Sequence, residues 1–194
     1  MYSISKQQLE EQLRDARQRT LDLVAGLSPK QLMGPRNLST INPLPWEIGH
    51  TAYFHELWCL RHRHNLNSFL DNADQLYDSI NIAHDVRWDL PVPPLADIKD
   101  YMSRVLEKEI QLLHAEDETD DDLYLYRYAL FHEDMHTEAF TYTRQTLNYP
   151  APTFSTAVQR PEPWQPRRVR RASDAGHGRG KGLGGVVAAV EPAG

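Results

Sequence analysis

The sequence has little of what marks a secreted or membrane-embedded protein. It holds a single cysteine, Cys59, in 194 residues, so no internal disulfide framework can form. That usage fits a reducing compartment, and a cytoplasmic localisation is expected. No apolar run reaches the roughly 18 residues of a membrane-spanning helix. The opening segment "MYSISKQQLEEQLRDARQRT" lacks the apolar centre of a signal peptide. Glycine is scarce up to residue 154, since seven of the ten glycines lie beyond it. A net charge of −6 argues against a general nucleic-acid binder. That average conceals a division: residues 155–194 carry seven Lys/Arg and three Asp/Glu, and the preceding residues carry 14 and 24, giving +4 and −10.

Convincing strand patterns are also absent, and four amphipathic helices take their place. Ser5 and Gln8 form the pattern of a capping box, and Leu9, Leu13, Ala16, Leu23 and Leu27 follow at helical spacing as far as "GLSPK". A second helix starts at "PLPWEIGH", with Pro45 suited to a first turn, and runs to about Asn65 with Trp46, His50, Tyr53, Leu57 and Leu60 on one face. A third extends from about Leu95 to His114, with Ile98, Tyr101, Val105 and Leu112 inward. The fourth follows the acidic run "ETDDD", which suits a helix N-terminus, and stops near Leu147 before "NYPAP". The expected fold is all-α, a four-helix bundle over residues 1–153. Its second and third helices are joined by a long connection, residues 66–94, of the kind that often carries function. Residues 154–194, rich in Arg, Gly and Pro and without periodicity, read as a disordered tail.

The stretch "LFHEDMHTEAF" places His132 and His136 four residues apart around Glu133. On a helix this spacing puts two imidazoles on one face, about 5–6 Å apart at Cβ, and in zinc peptidases the enclosed glutamate is the base. Here Leu125, Tyr128, Ala129, Ala139 and Thr143 share the histidine stripe, which therefore points inward and sends Glu133 and Asp134 toward solvent or a helix boundary. A peptidase also needs a third ligand after the motif, and the sequence after Pro150 offers none on a helix. His50, inward on the second helix, is the better third ligand, because metal sites in bundles are assembled from facing helices. Three imidazoles on one side of an ion leave positions open for substrate and dioxygen. Glu138 is either a carboxylate that orients a ligand from behind or a solvated helix glutamate. His55, His62 and His64 are expected to face water, His84 and His114 have no assignable partner, and Cys59 and Tyr128 are expected to pack in the core.

Three segments in order, "NPLPWEIGHTAYFHELWCLR", "YDSINIAHDVRWDLP" and "YLYRYALFHEDMHTEAFTYTRQTL", resemble the N-terminal DinB-like domain of the ergothioneine sulfoxide synthase family, which includes ovothiol-type and selenoneine synthases. The resemblance implies a mononuclear iron(II) site held by His50, His132 and His136. It also implies a reaction that uses dioxygen to join a thiol, or a selenium donor, to a histidine-derived imidazole. Arg87, in "HDVRWDLP", matches the family's arginine for the carboxylate of the sulfur donor; the residue-level alternative is an ion pair with Asp85 or Asp89. Family enzymes carry a further domain of the formylglycine-generating-enzyme type, for which these residues contain no counterpart. The bundle is therefore expected to be incomplete alone and to meet a partner chain, or itself, over its exposed face. The rival readings are a stand-alone DinB-like thiol transferase using zinc or nickel and a non-catalytic metal-binding remnant. The partners expected are a small-molecule thiol and a histidine-derived substrate, without nucleic acid or membrane.

Overall fold

In the computed structural model, which describes residues 4–155, all regular structure is helical and no strand occurs among the described residues. α1 (Lys6–Val24) opens on the capping box that its sequence carries: the Gln8 amide donates to Ser5 Oγ at 3.2 Å, and the Ser5 amide donates to Gln8 Oε1 at 3.0 Å. Ser28 and Gln31 repeat the device for the short α2 (Pro29–Met33), which the sequence pattern did not reveal. α3 (Leu44–His55) takes Pro45 into its first turn and continues as a π-helical stretch, Glu56–His62. α5 spans Leu95–Ala115, and α6 spans Asp120–Thr146. Thr119 caps α6 by accepting from the Asp122 amide at 3.1 Å, so Asp120, Asp121 and Asp122 all sit in the first turn, where exposed amide groups favour negative charge.

The four long helices, α1, α3, α5 and α6, form the expected four-helix bundle. One end of its core gathers Leu9, Leu13, Cys59, Leu60, Leu113 and Tyr126; the other gathers Trp46, Ile48, Tyr77, Tyr101, Val105 and Phe140. Each aliphatic or Phe side chain among these contributes about 1.5–3 kcal/mol on removal from water. No helix among the described residues is long and apolar enough to cross a membrane. The connection after α3 is more ordered than an irregular loop. It holds α4 (Ala73–Tyr77) and a 3-10 turn, His84–Val86. α4 exists because Ala73, Leu76 and Tyr77 are buried, and because the Trp46 indole donates to the Leu76 carbonyl at 2.7 Å. The tail expected over 154–194 lies outside the described residues from 156 onward. Its first two residues are anchored: Phe154 packs on the core, and the Ser155 amide donates to Asp22 Oδ2 at 2.7 Å.

Three sequence-based expectations are corrected. Glu133 does not face solvent; it is fully buried between α6 and α1. Arg17 donates to it through Nε at 2.9 Å and Nη2 at 3.1 Å, and the Thr20 hydroxyl donates at 2.7 Å. His55, expected in water, is fully buried, with Nδ1 2.8 Å from Glu109 and Nε2 3.1 Å from Glu133. Burial opposes charge on both groups. The Arg17 and His55 charges nevertheless hold the Glu133 carboxyl well below its usual range, and the two glutamates outweigh burial to raise His55 to about 9. The reason for both corrections is position: α6 buries one face against α3 and another against α1, and α3 likewise packs on both α5 and α6. Tyr128, expected in the core, is 42% exposed and joins Tyr124, Phe131, Met135 and Tyr142 on the outer face of α6.

Removing one partner of a buried charge pair strands the other. Arg17→Ala and Glu133→Ala should each lower unfolding stability by about 3–5 kcal/mol, whereas the apolar pair Arg17→Met/Glu133→Leu should cost less than either. Urea unfolding followed by circular dichroism measures all three.

Candidate metal centre

α3 and α6 face each other where "WEIGH" meets "HEDMH". His132 and His136, one turn apart on α6, present their rings to His50 on α3. Ring centroids lie 5.0 Å apart for His50–His132 and for His50–His136, and 4.6 Å for His132–His136. One nitrogen from each ring falls within 4.8 Å of the others, the one such cluster found among the described residues. The three histidines singled out from sequence are thus brought together.

What stands behind each ring differs. His50 is buried, and its Nδ1 lies 2.8 Å from the Tyr77 carbonyl. A carbonyl only accepts, so Nδ1 carries the proton and Nε2 is free to ligate. Gly49 makes this possible, because a Cβ there would come within 2.3 Å of the Tyr77 ring. The Nδ1 of His136 lies 2.8 Å from Oε1 of Glu47, a buried carboxylate, and the same reasoning leaves its Nε2 free. His132 has no such partner. Its ring stacks on Phe54, centroids 3.5 Å apart and planes 6° from parallel, and its Nδ1 is buried without a hydrogen-bond partner.

Burial, reinforced by the neighbouring His136, depresses His50 to about 4. Burial again, with His136, His50 and His55 acting in turn, depresses His132 to about 2. Both rings are therefore neutral at pH 7, which is the form that binds metal. Three convergent imidazoles, with one buried ring nitrogen left unsatisfied, suit a divalent transition metal. Glu133 is one residue from His132 yet lies about 100° farther round the helix, against Arg17 of α1 and His55 of α3. Neutralised by Arg17 and His55, it is not placed to serve as a base.

Arg87 reaches the centre indirectly. Its guanidinium lies 4.0 Å above the Trp46 ring, and Trp46 stacks on His50 with centroids 5.1 Å apart and planes 4° from parallel. Its hydrogen bonds go to neutral oxygens, Asn42 Oδ1 at 2.8 Å and the Ile82 carbonyl at 3.3 Å, while Nε is buried and unpaired. The ion pair with Asp85 or Asp89 is not formed, and Asp89 pairs with Arg36 instead. Glu138 is exposed and has no hydrogen bond to either α6 histidine. The carboxylate behind His136 is Glu47. Sequence reasoning missed it, although Glu47 lies one turn before His50 and so shares its side of α3. The other histidines are dispersed: His64 Nε2 lies 2.9 Å from the Tyr126 hydroxyl, His84 Nε2 2.7 Å from the Ile41 carbonyl and His114 Nε2 2.6 Å from Glu10, while His62 is exposed.

Residues 12–143, which include all three histidines, match the DinB superfamily. Hercynine oxygenase of Mycolicibacterium smegmatis is 30% identical over 147 residues, 75% of this chain and 33% of that protein. The chain thus spans about one third of the length of the relative it matches.

A histidine depressed by folding binds fewer protons in the native than in the unfolded state once the pH falls below its unfolded value. Its effect is therefore negligible above about 6.5 and grows destabilising as the pH falls toward 4. Metal-free protein should lose melting temperature between about pH 6.5 and 5, a range above the carboxylate titrations, and His132→Phe should lose less. Thermal unfolding in the presence of chelator checks this.

Proposed function

The chain belongs to the DinB superfamily, and we propose that its three-histidine centre is a mononuclear iron(II) site for dioxygen-dependent joining of a thiol, or a selenium donor, to a histidine-derived imidazole. The observation that carries the reading is the donor set: three convergent imidazoles with no carboxylate among them, beside a guanidinium bound only to neutral oxygens. The similarity to hercynine oxygenase supports the choice of iron and of an imidazole substrate. Bound iron supplies the redox chemistry by which thiol, imidazole and dioxygen become a sulfoxide and water; S–H and C–H bonds break, and one C–S and one S–O bond form.

The chain's own residues hold and prepare the site. The Tyr77 carbonyl and Glu47 fix the proton on Nδ1 of His50 and His136 and aim Nε2 inward. Phe54 and Trp46 wall two of the three rings with apolar surface, which keeps water from them. Arg87 is assigned the carboxylate of the sulfur donor, because its half-buried charge has no acidic partner within 4.0 Å among the described residues and a planar guanidinium matches a carboxylate bidentately. On this reading the bundle contributes the metal and thiol side of the pocket, and a further domain or partner chain completes the side facing the imidazole.

An all-histidine donor set also suits catalytic zinc, so a zinc or nickel thiol transferase is the second reading. In it the ion would lower the thiol pKa and make it a nucleophile. Anaerobic titration separates the two. Iron(II) should bind once per chain and give the half-integer-spin resonance of an iron–nitric oxide adduct, and His50→Ala should weaken binding by more than about 100-fold. Retention of zinc or nickel in preference to iron, without that resonance, would favour the transferase. Unaltered iron binding in His50→Ala would overturn the three-histidine site. With iron bound, Arg87→Gln should weaken cysteine binding by about 10–100-fold, from the loss of a charged hydrogen-bond pair, and leave iron affinity unchanged.

A further inference from the structure

The three rings converge on one point but are held from behind by a carboxylate, a carbonyl and an aromatic face, respectively. Glu47 is the unusual member. It is 2% exposed, and its only hydrogen-bonded partner among the described residues is His136, through Nδ1 at 2.8 Å. Among the described residues no lysine or arginine lies within 4.0 Å of it, and the Arg87 guanidinium acts on it only from farther away. A buried carboxylate without a cationic partner is costly. A divalent ion bound to the far side of the same imidazole would supply the missing positive charge, transmitted through the ring.

We infer that Glu47 is a positioning residue of this centre and that the three ligands are graded by their supports, with His136 firmest, His50 intermediate and His132 the one that yields. A carboxylate accepting from Nδ1–H fixes the tautomer and makes Nε2 a stronger donor to the ion. A carbonyl does the same more weakly, because it carries no net charge. Phe54 gives His132 a flat contact but no hydrogen bond, so the ring keeps its place by packing alone, and its buried Nδ1 stays unsatisfied. Glu47 also joins the two halves of the site. It lies on α3, three residues before His50, while its carboxylate holds a ring on α6. The grading rests on the reading that the three imidazoles bind a divalent cation, not on that cation being iron.

The test uses the full chain, with cobalt(II) as a coloured probe and zinc(II) in competition. Wild type should bind one cobalt per chain. Glu47→Gln, which keeps a polar group of the same shape, should weaken binding by about 10–100-fold while the unfolding curve of the metal-free protein is unchanged or shifted to higher stability. Nitrogen-15 resonances of metal-free wild type should report His136 with its proton on Nδ1, and those of Glu47→Gln a mixture of tautomers; a merely structural glutamate would leave them alone. His132→Ala should cost less affinity than His50→Ala, and His50→Ala less than His136→Ala. If Glu47→Gln does not fold, Glu47→Asp, which retains the charge on a shorter arm, should bind cobalt more weakly than wild type. Equal affinity in the folded Glu47 variant, or His132→Ala as the most damaging of the three, overturns the inference. Failure of wild type to bind cobalt or zinc overturns the metal-site reading itself.

Discussion

Everything at the centre depends on the rotation of α6 about its own axis, and a buried charge cluster sets that rotation. Arg17 from α1, His55 from α3 and, through His55, Glu109 from α5 all meet at Glu133. Because all four members are buried, turning α6 by one residue's worth of angle would strand a charge in the interior at a cost of several kcal/mol. With Glu133 pinned toward α1, His132 and His136 have one direction left, which is toward His50. The glutamate of the H-E-x-x-H pattern thus works as a key for the helix, and the histidines are left to converge on His50.

Adjacent residues on α6 therefore live in opposite electrostatic worlds. Glu133 is held ionised by its cationic neighbours, while His132 is held neutral by burial and by the positive charges and imidazoles around it. His55 takes part in both, stabilising the carboxylate and disfavouring a second positive charge on His132. A metal-ready imidazole needs its lone pair, so a buried cation one helical face away reinforces that state. The ionic cluster and the histidine triad thus sit side by side around one helix, and His55 acts on both.

Much of this was legible in the sequence because it rests on local periodicity. The capping box at Ser5, the inward stripe of His50 and the one-turn spacing of His132 and His136 each need only a helix and one apolar partner to be read correctly. Glu133 and His55 were misread for the same reason. A single-stripe view assumes one buried face, and a helix at a bundle corner has two. A charged residue that finds a buried partner, as Glu133 finds Arg17 over a separation of 116 residues, leaves no trace in local pattern. Glu47 was missed although "WEIGH" puts it beside His50, because its target lies on another helix. Glu138, two residues from His136, was weighed in its place, yet a two-residue step turns a side chain away from its neighbour. The backbone carbonyl of Tyr77 carries no sequence signal at all.

The long connection is the last component of the centre. It is fastened along the segment that leads into α3: the Trp88 indole donates to the Met33 carbonyl at 2.8 Å, His84 meets the Ile41 carbonyl, and Arg87 reaches Asn42. From that fixed course it delivers two groups, the Tyr77 carbonyl onto His50 and the Arg87 guanidinium onto Trp46. Both act on the same histidine, one by hydrogen bond and the other through a stack of three planar groups. A substrate carboxylate drawn to Arg87 would therefore press on the aromatic layer that carries His50. On the proposed reading, anchoring the substrate and orienting His50 would be mechanically one act. The segment is held firmly because Leu76 and Tyr77 belong to the core and Phe69, Leu90 and Val92 pack against it, so the Tyr77 carbonyl and the Arg87 guanidinium are fixed together.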